Sequence, residues 1–183
     1  MKPTETLKTE HRAILLMLKV AESVSRKLEA GESVPASDPA RIVDFIQGFA
    51  DKCHHAKEED LLFPAMEKTG VPRQGGPIGV MLSEHTEGRE YVRRMKEAAE
   101  KYAAGEKESG VRFAENARAY AALLSQHIHK EDNILYPIAD ARLSLEIQTG
   151  LEKDFDRVEE EVVGAGKHEE YHRLLEELER TYC

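Results

Sequence analysis

Two stretches of this chain are versions of one another: HHAKEEDLLFP, from His54 to Pro64, and HIHKEDNILYP, from His127 to Pro137. Each sets a Glu four residues after a His, then closes on two aliphatic residues, an aromatic and a proline. Each also has a partner upstream, Thr9-Glu10-His11 for the first and Ser83-Glu84-His85 for the second. His11 precedes His54 by 43 positions, and His85 precedes His127 by 42. The chain therefore reads as two half-bundles about 73 positions apart, each offering one lone His and one His-x-x-x-Glu pair. The fold must bring these halves together, because four imidazoles and two carboxylates in that symmetry are a donor set for two metal ions.

The sequence around these motifs has helical period. Leu7, Ile14, Leu15, Leu18, Ala21, Val24 and Leu28 form an apolar stripe in a first helix from about Thr4 to Ala30, and His11 fills the gap in it. A second helix runs from about Pro39 to Lys68, with Ile42, Phe45, Ile46 and Phe49 on one face. Asp38 and Pro39 supply its cap and first position. A third runs from about Pro77 to Ala104 and a fourth begins near Gly110. No alternating strand pattern occurs. The breaker-rich links are short, which favours antiparallel neighbours and predicts an all-α, up-down-up-down four-helix bundle over residues 1–137. Residues 138–183 have no counterpart in the first half. They read as an appended C-terminal helical segment, packed on the bundle exterior or forming a partner surface.

Residues four apart on a helix are offset by about 40° around the axis and about 6 Å along it, so a His and a Glu at that spacing reach one inward point. On the fourth helix His127 and Glu131 fall within the stripe of Phe113, Tyr120, Leu124 and Leu135, whereas His129 projects to the opposite side. His54 and Glu58 lie nearer the edge of their stripe but fit better than His55 and Glu59. The repeat selects the same pair. The expected metal ligands are therefore His11, His54, Glu58, His85, His127 and Glu131. Imidazole with carboxylate suits iron, manganese or zinc. Two octahedral ions have more positions than these donors and an oxo or hydroxo bridge fill, which leaves room for a small exogenous ligand. Glu10 and Glu84 precede their histidines by one residue and point about 100° away, as solvated carboxylates or partners of a ligand.

The formal net charge of −9, with no concentrated basic stripe, argues against nucleic acid as a partner. No apolar run reaches the roughly 20 residues of a membrane span. No signal peptide is read in residues 1–20, so the expected location is cytoplasmic. Cys53 and Cys183 have no motif spacing and are expected as free thiols. His168-Glu169-Glu170-Tyr171-His172 matches the His-Glu-x-x-His pattern of zinc proteases. It lies in an amphipathic helix with no supporting sheet and reads as a solvated face or an adventitious second metal site.

HHAKEEDLLFP and HIHKEDNILYP, with their TEH and SEH elements, resemble the hemerythrin-like, or HHE cation-binding, family from about Glu5 to Pro137. The resemblance implies a four-helix bundle around a non-heme, carboxylate-bridged di-iron centre, oxo- or hydroxo-bridged, with zinc or manganese as other metals. It also implies a small ligand such as dioxygen, peroxide or nitric oxide. The chain departs from the oxygen carriers of that family. Arg89 stands four residues after His85, where they have another His, and Glu131 is preferred here over the neighbouring Asp132. One fewer His is expected to leave the second ion more open, which favours reactive or sensing chemistry over simple oxygen carriage. An iron-handling or peroxide-consuming enzyme and a metal-dependent regulatory module are the alternatives. The ferritin-type Glu-x-x-His order is absent from these repeats.

Overall fold

A computed structural model describes residues 1–183 and contains six helices and no strand. Helix α1 is Pro3–Glu29. It starts on a proline at its first positions, where the missing N–H costs nothing. It ends where Gly31 takes a φ of 71°, and there Glu32 N–H bonds the Lys27 carbonyl and Gly31 N–H that of Leu28. This is the left-handed stop that glycine makes cheaply.

Helix α2 runs unbroken over residues 38–68: α-helical at Asp38–Phe45, π-helical at Ile46–His55 and Glu58–Leu62, α-helical again at Phe63–Lys68. Helix α3 is Pro77–Ala103. Helix α4 covers residues 109–142, with a π-helical turn at Glu131–Leu135 between Ser109–Lys130 and Tyr136–Arg142. Helix α5 is Leu145–Arg157, continued by a π-helical Val158–Gly164, and α6 is Lys167–Tyr182.

The repeat prolines Pro64 and Pro137 lie inside α2 and α4 rather than beyond them. A proline ring strikes the carbonyl four residues earlier and offers it no N–H. Those carbonyls belong to Asp60 and Asn133, and both lie in the π-helical turns, whose wider pitch accommodates the ring.

Burial divides the interior into two apolar clusters. The larger contains Ile14, Ala50, Val92 and Leu124, and the smaller contains Leu7, Leu62, Met81 and Leu135. Along α1 the chain passes from the smaller cluster to the larger, along α2 back again, along α3 forward and along α4 back. That alternation is the up-down-up-down topology. The four crossings coincide with His11, with His54 and Glu58, with His85, and with His127 and Glu131. One polar layer thus separates the two clusters.

Residues after Arg142 lie against the bundle. Leu175 and Leu178 of α6 join the larger cluster, and Leu143, Leu151 and Phe155 join the smaller. Leu145, Ile147 and Val162 stay exposed. Tyr171 of α6 rests on Gly48 of α2, where a Cβ would lie 1.8 Å from its hydroxyl oxygen, so no larger residue fits there without displacing the tyrosine. Tyr182 donates to Asp38 at 2.5 Å, and Ser23 donates to the Tyr182 carbonyl.

Candidate metal centre

All six residues singled out by the repeat meet in the polar layer. His11, His54, His85 and His127 are 1% exposed, and Glu58 and Glu131 are 0%. His11, His54, Glu58 and Glu131 form one group whose donor atoms lie within 4.8 Å of one another, and His55, Glu58, His85 and His127 form a second. Glu58 belongs to both groups. Glu131 also spans them, lying 3.1 Å from His11 Nε2 and 2.9 Å from His127 Nε2.

Each imidazole is oriented in the same way. His11 Nδ1 lies 2.8 Å from Asp132, His54 Nδ1 2.8 Å from Glu10, His85 Nδ1 2.7 Å from Glu59 and His127 Nδ1 3.0 Å from Glu84. A carboxylate on Nδ1 fixes the proton there and leaves Nε2 as a bare donor facing inward, the arrangement that metal-binding histidines use. Glu10 and Glu84 are thus the partners of His54 and His127, each on the helix preceding that of its histidine. A lysine three residues after the repeat histidine completes each relay. Lys57 lies 2.5 Å from Glu10, and Lys130 pairs with Glu84. Lys57 is fully buried and also holds Glu159 of the C-terminal segment at 2.5 Å, whereas Lys130 is 34% exposed.

Inside this ring of oriented imidazoles, polar atoms go unpaired. His54 Nε2, Glu58 Oε2 and both Glu131 oxygens are buried without a hydrogen bond. Glu131 makes its close contacts to His11 and His127 without a hydrogen bond. His85 Nε2 and His127 Nε2 face each other at 3.0 Å. Tyr136 donates to Glu58 at 2.6 Å and lies 3.3 Å from His11 Nε2. Burial disfavours a charged His11, yet Asp132, Glu131 and Glu58 hold its pKa up at about 10, and burial is likewise outweighed at His85, at about 9, by Glu58 and Glu59. Glu58 and Glu131 are driven down against burial by the surrounding histidines. The carboxylates thus favour a cation at the centre. Metal ions fit this donor set, because they would satisfy the unpaired oxygens and the inward Nε2 atoms together.

The structure also brings in residues that the repeat did not select. His55, expected to fit the inward face less well than His54, is 5% exposed and stacks on His85 with ring centroids 3.9 Å apart. The 100° step assumed for an α-helix fails across Ile46–His55, which is π-helical and turns less per residue, so both histidines reach the interior. Burial, and then the charge of His85, lowers the His55 pKa well below its usual range. Tyr136 was hidden because its repeat counterpart is Phe63, which has no hydroxyl. His129 is exposed, as its phase requires. His168 and His172 face each other at 2.9 Å and pack their rings against Phe49, away from the six. Cys53 is buried and Cys183 exposed, both as free thiols. No helix is long and apolar enough to cross a membrane.

The hemerythrin HHE cation binding domain matches residues 2–139. The uncharacterized protein Rv1995 of Mycobacterium tuberculosis is 26% identical over 133 residues, which cover 73% of this chain and 51% of that protein. The iron-sulfur cluster repair protein DnrN of Neisseria gonorrhoeae is 36% identical over 103 residues, 54% of this chain and 65% of its own length. The chain thus spans about half the length of its mycobacterial relative. No solved structure matches it.

Proposed function

The chain belongs to the hemerythrin HHE cation-binding family, and on that premise we propose that it is a non-heme di-iron protein that binds or responds to dioxygen, peroxide or nitric oxide. In this reading His11 and His54 hold one iron, His85 and His127 hold the other, and Glu58 and Glu131 reach both. The observation that carries it is the unpaired set at the middle of the bundle, His54 Nε2, Glu58 Oε2 and the two Glu131 oxygens, all buried. Such atoms are costly unless a cation satisfies them. Bound iron supplies one-electron redox chemistry and coordination positions that the side chains do not fill.

The chain's own residues do the rest. Asp132, Glu10, Glu59 and Glu84 keep the four imidazole protons on Nδ1. Tyr136 orients Glu58 by donating to it. The two apolar clusters above and below the polar layer limit access by bulk water. A cavity of about 360 Å³ lined by Asp51, His55, His85, Gly88, Arg89 and Tyr120 reaches the layer from outside and has room for a diatomic ligand. Residues 1–137 are the metal-binding bundle in this reading, and residues 138–183 are an extension packed on it.

Similarity to a protein named for iron-sulfur cluster repair favours a second reading, in which iron is cargo for damaged clusters. Anaerobic purification, metal analysis and optical spectra before and after air or nitric oxide test the first. Two irons per chain, with charge-transfer bands that respond to the added ligand, support it. A colourless, zinc-only protein that refuses iron overturns it. Loss of the iron to an apo iron-sulfur protein supplied with sulfide, with regain of that protein's cluster, supports the second.

A further inference from the structure

His55 and Ile128 occupy the same position in the two repeats, each directly after a repeat histidine. Ile128 joins the apolar core, as a buried residue there should. His55 is as deeply placed but spends its Nδ1 on Asp51, 3.3 Å away, and has no hydrogen bond from its other ring nitrogen. His55 lines the same cavity as His85 and Arg89, so that nitrogen is left open to a ligand.

We infer that His55 is a fifth imidazole donor of the centre, completing the subsite of His85, His127 and Glu58. The inference rests on the two-ion reading above. Four observations converge on it. A ring nitrogen of His55 lies within 4.8 Å of the donor atoms of Glu58, His85 and His127. Its Nδ1 faces a carboxylate, as in the four other histidines, so the inward nitrogen is again Nε2. Its ring is stacked on that of His85 at an interplanar angle of 22°. The two rings are aligned by one guanidinium. Arg89 donates to Asp51 at 2.9 Å and to Glu59 at 2.8 Å, and these are the carboxylates on His55 and His85.

Arg89 therefore acts as a positioning residue, and the opening that its presence on α3 implied is filled from α2. The repeat symmetry breaks here, with Ile128 opposite His55, so one subsite has two imidazoles and the other three. The two ions are inequivalent by construction.

Two variants test this with iron as the probe. His55→Phe keeps a ring against His85 and removes the nitrogen. His55→Ala empties the space at the end of the cavity. Far-ultraviolet circular dichroism verifies that each folds. Iron is titrated against a chelator, and Mössbauer spectra of the loaded proteins report the number of distinct environments. The parent is expected to bind two irons in two environments. His55→Phe should hold one as before and the other at least about tenfold more weakly, the low end of the loss when even an outer partner of a metal ligand is removed. His55→Ala should recover the second iron when free imidazole is added. A His55→Phe protein with parental affinity for both irons and unchanged spectra overturns the inference while leaving the two-ion reading intact. A parent that takes fewer than two irons overturns that reading, and this inference with it.

Discussion

Asp132 lies 2.8 Å from Nδ1 of His11, a residue 121 positions earlier in the chain, and so turns away from the point that its neighbour Glu131 enters. Adjacent carboxylates on one helix thus have separate tasks, one toward the centre and one behind a histidine. Asp132→Asn should keep both irons but bind them about 10–100-fold more weakly, as when the partner of a ligating histidine is lost. Glu131→Gln should lose iron outright. Iron stoichiometry after dialysis against graded chelator measures both. Equal loss in the two variants would show Asp132 to be a ligand.

His127 and His129 give a second contrast within one turn. His127 is buried at the centre and His129 is exposed, bonded only to Asn133 nearby. His127→Ala should lower iron content and thermal stability together, since ligand binding and folding are coupled in such sites. His129→Ala should match the parent in both. Parallel losses would mean that the helical phase described for α4 is wrong.

Much of this was legible in the chain because α1, α3 and most of α4 keep an α-helical step, so the phase of His11, His85 and His127 follows from their stripes. The repeat supplied His54 and Glu58 even where phase placed them at an edge. What the sequence hid follows from geometry that a fixed step cannot express. The π-helical stretch Ile46–His55 brings two successive histidines inward. Tyr136 differs from Phe63 by one hydroxyl, which periodicity does not register. Glu59 and Asp132, each beside one of the six, meet their histidines only when α3 and α1 arrive alongside them.

Lys57 and Lys130 are equivalent in the repeat and unequal in the fold. Lys57→Met would leave Glu10 and Glu159 facing a buried gap, and the loss of one partner of a buried ion pair costs about 3–5 kcal/mol. Lys130→Met should cost no more than about 1 kcal/mol, as for solvent-exposed pairs. Urea unfolding of the metal-free proteins reads the difference. Similar midpoints for the two variants would contradict the burial described for Lys57.

Gly48 sets how closely α6 approaches α2. Gly48→Ala should lower stability by about 1–3 kcal/mol, the usual cost of an extra carbon in a packed contact. Combining it with Tyr171→Ala should cost less than the sum of the two single changes, because the clash and its partner disappear together. Thermal denaturation of the four proteins in that cycle supplies the test. Strict additivity would mean that Tyr171 does not rest on Gly48.

Among the carboxylates behind the four histidines, Glu10 is 4% exposed, against 16% for Glu84, 25% for Glu59 and 31% for Asp132. Glu159 and Phe155 stand over the Lys57 end of its relay. Three of these carboxylates are partly exposed and the fourth is buried. The Nδ1 proton of His54 should thus be the slowest of the four to exchange with deuterium, and the C-terminal segment, though it contributes none of the six, helps to shield it.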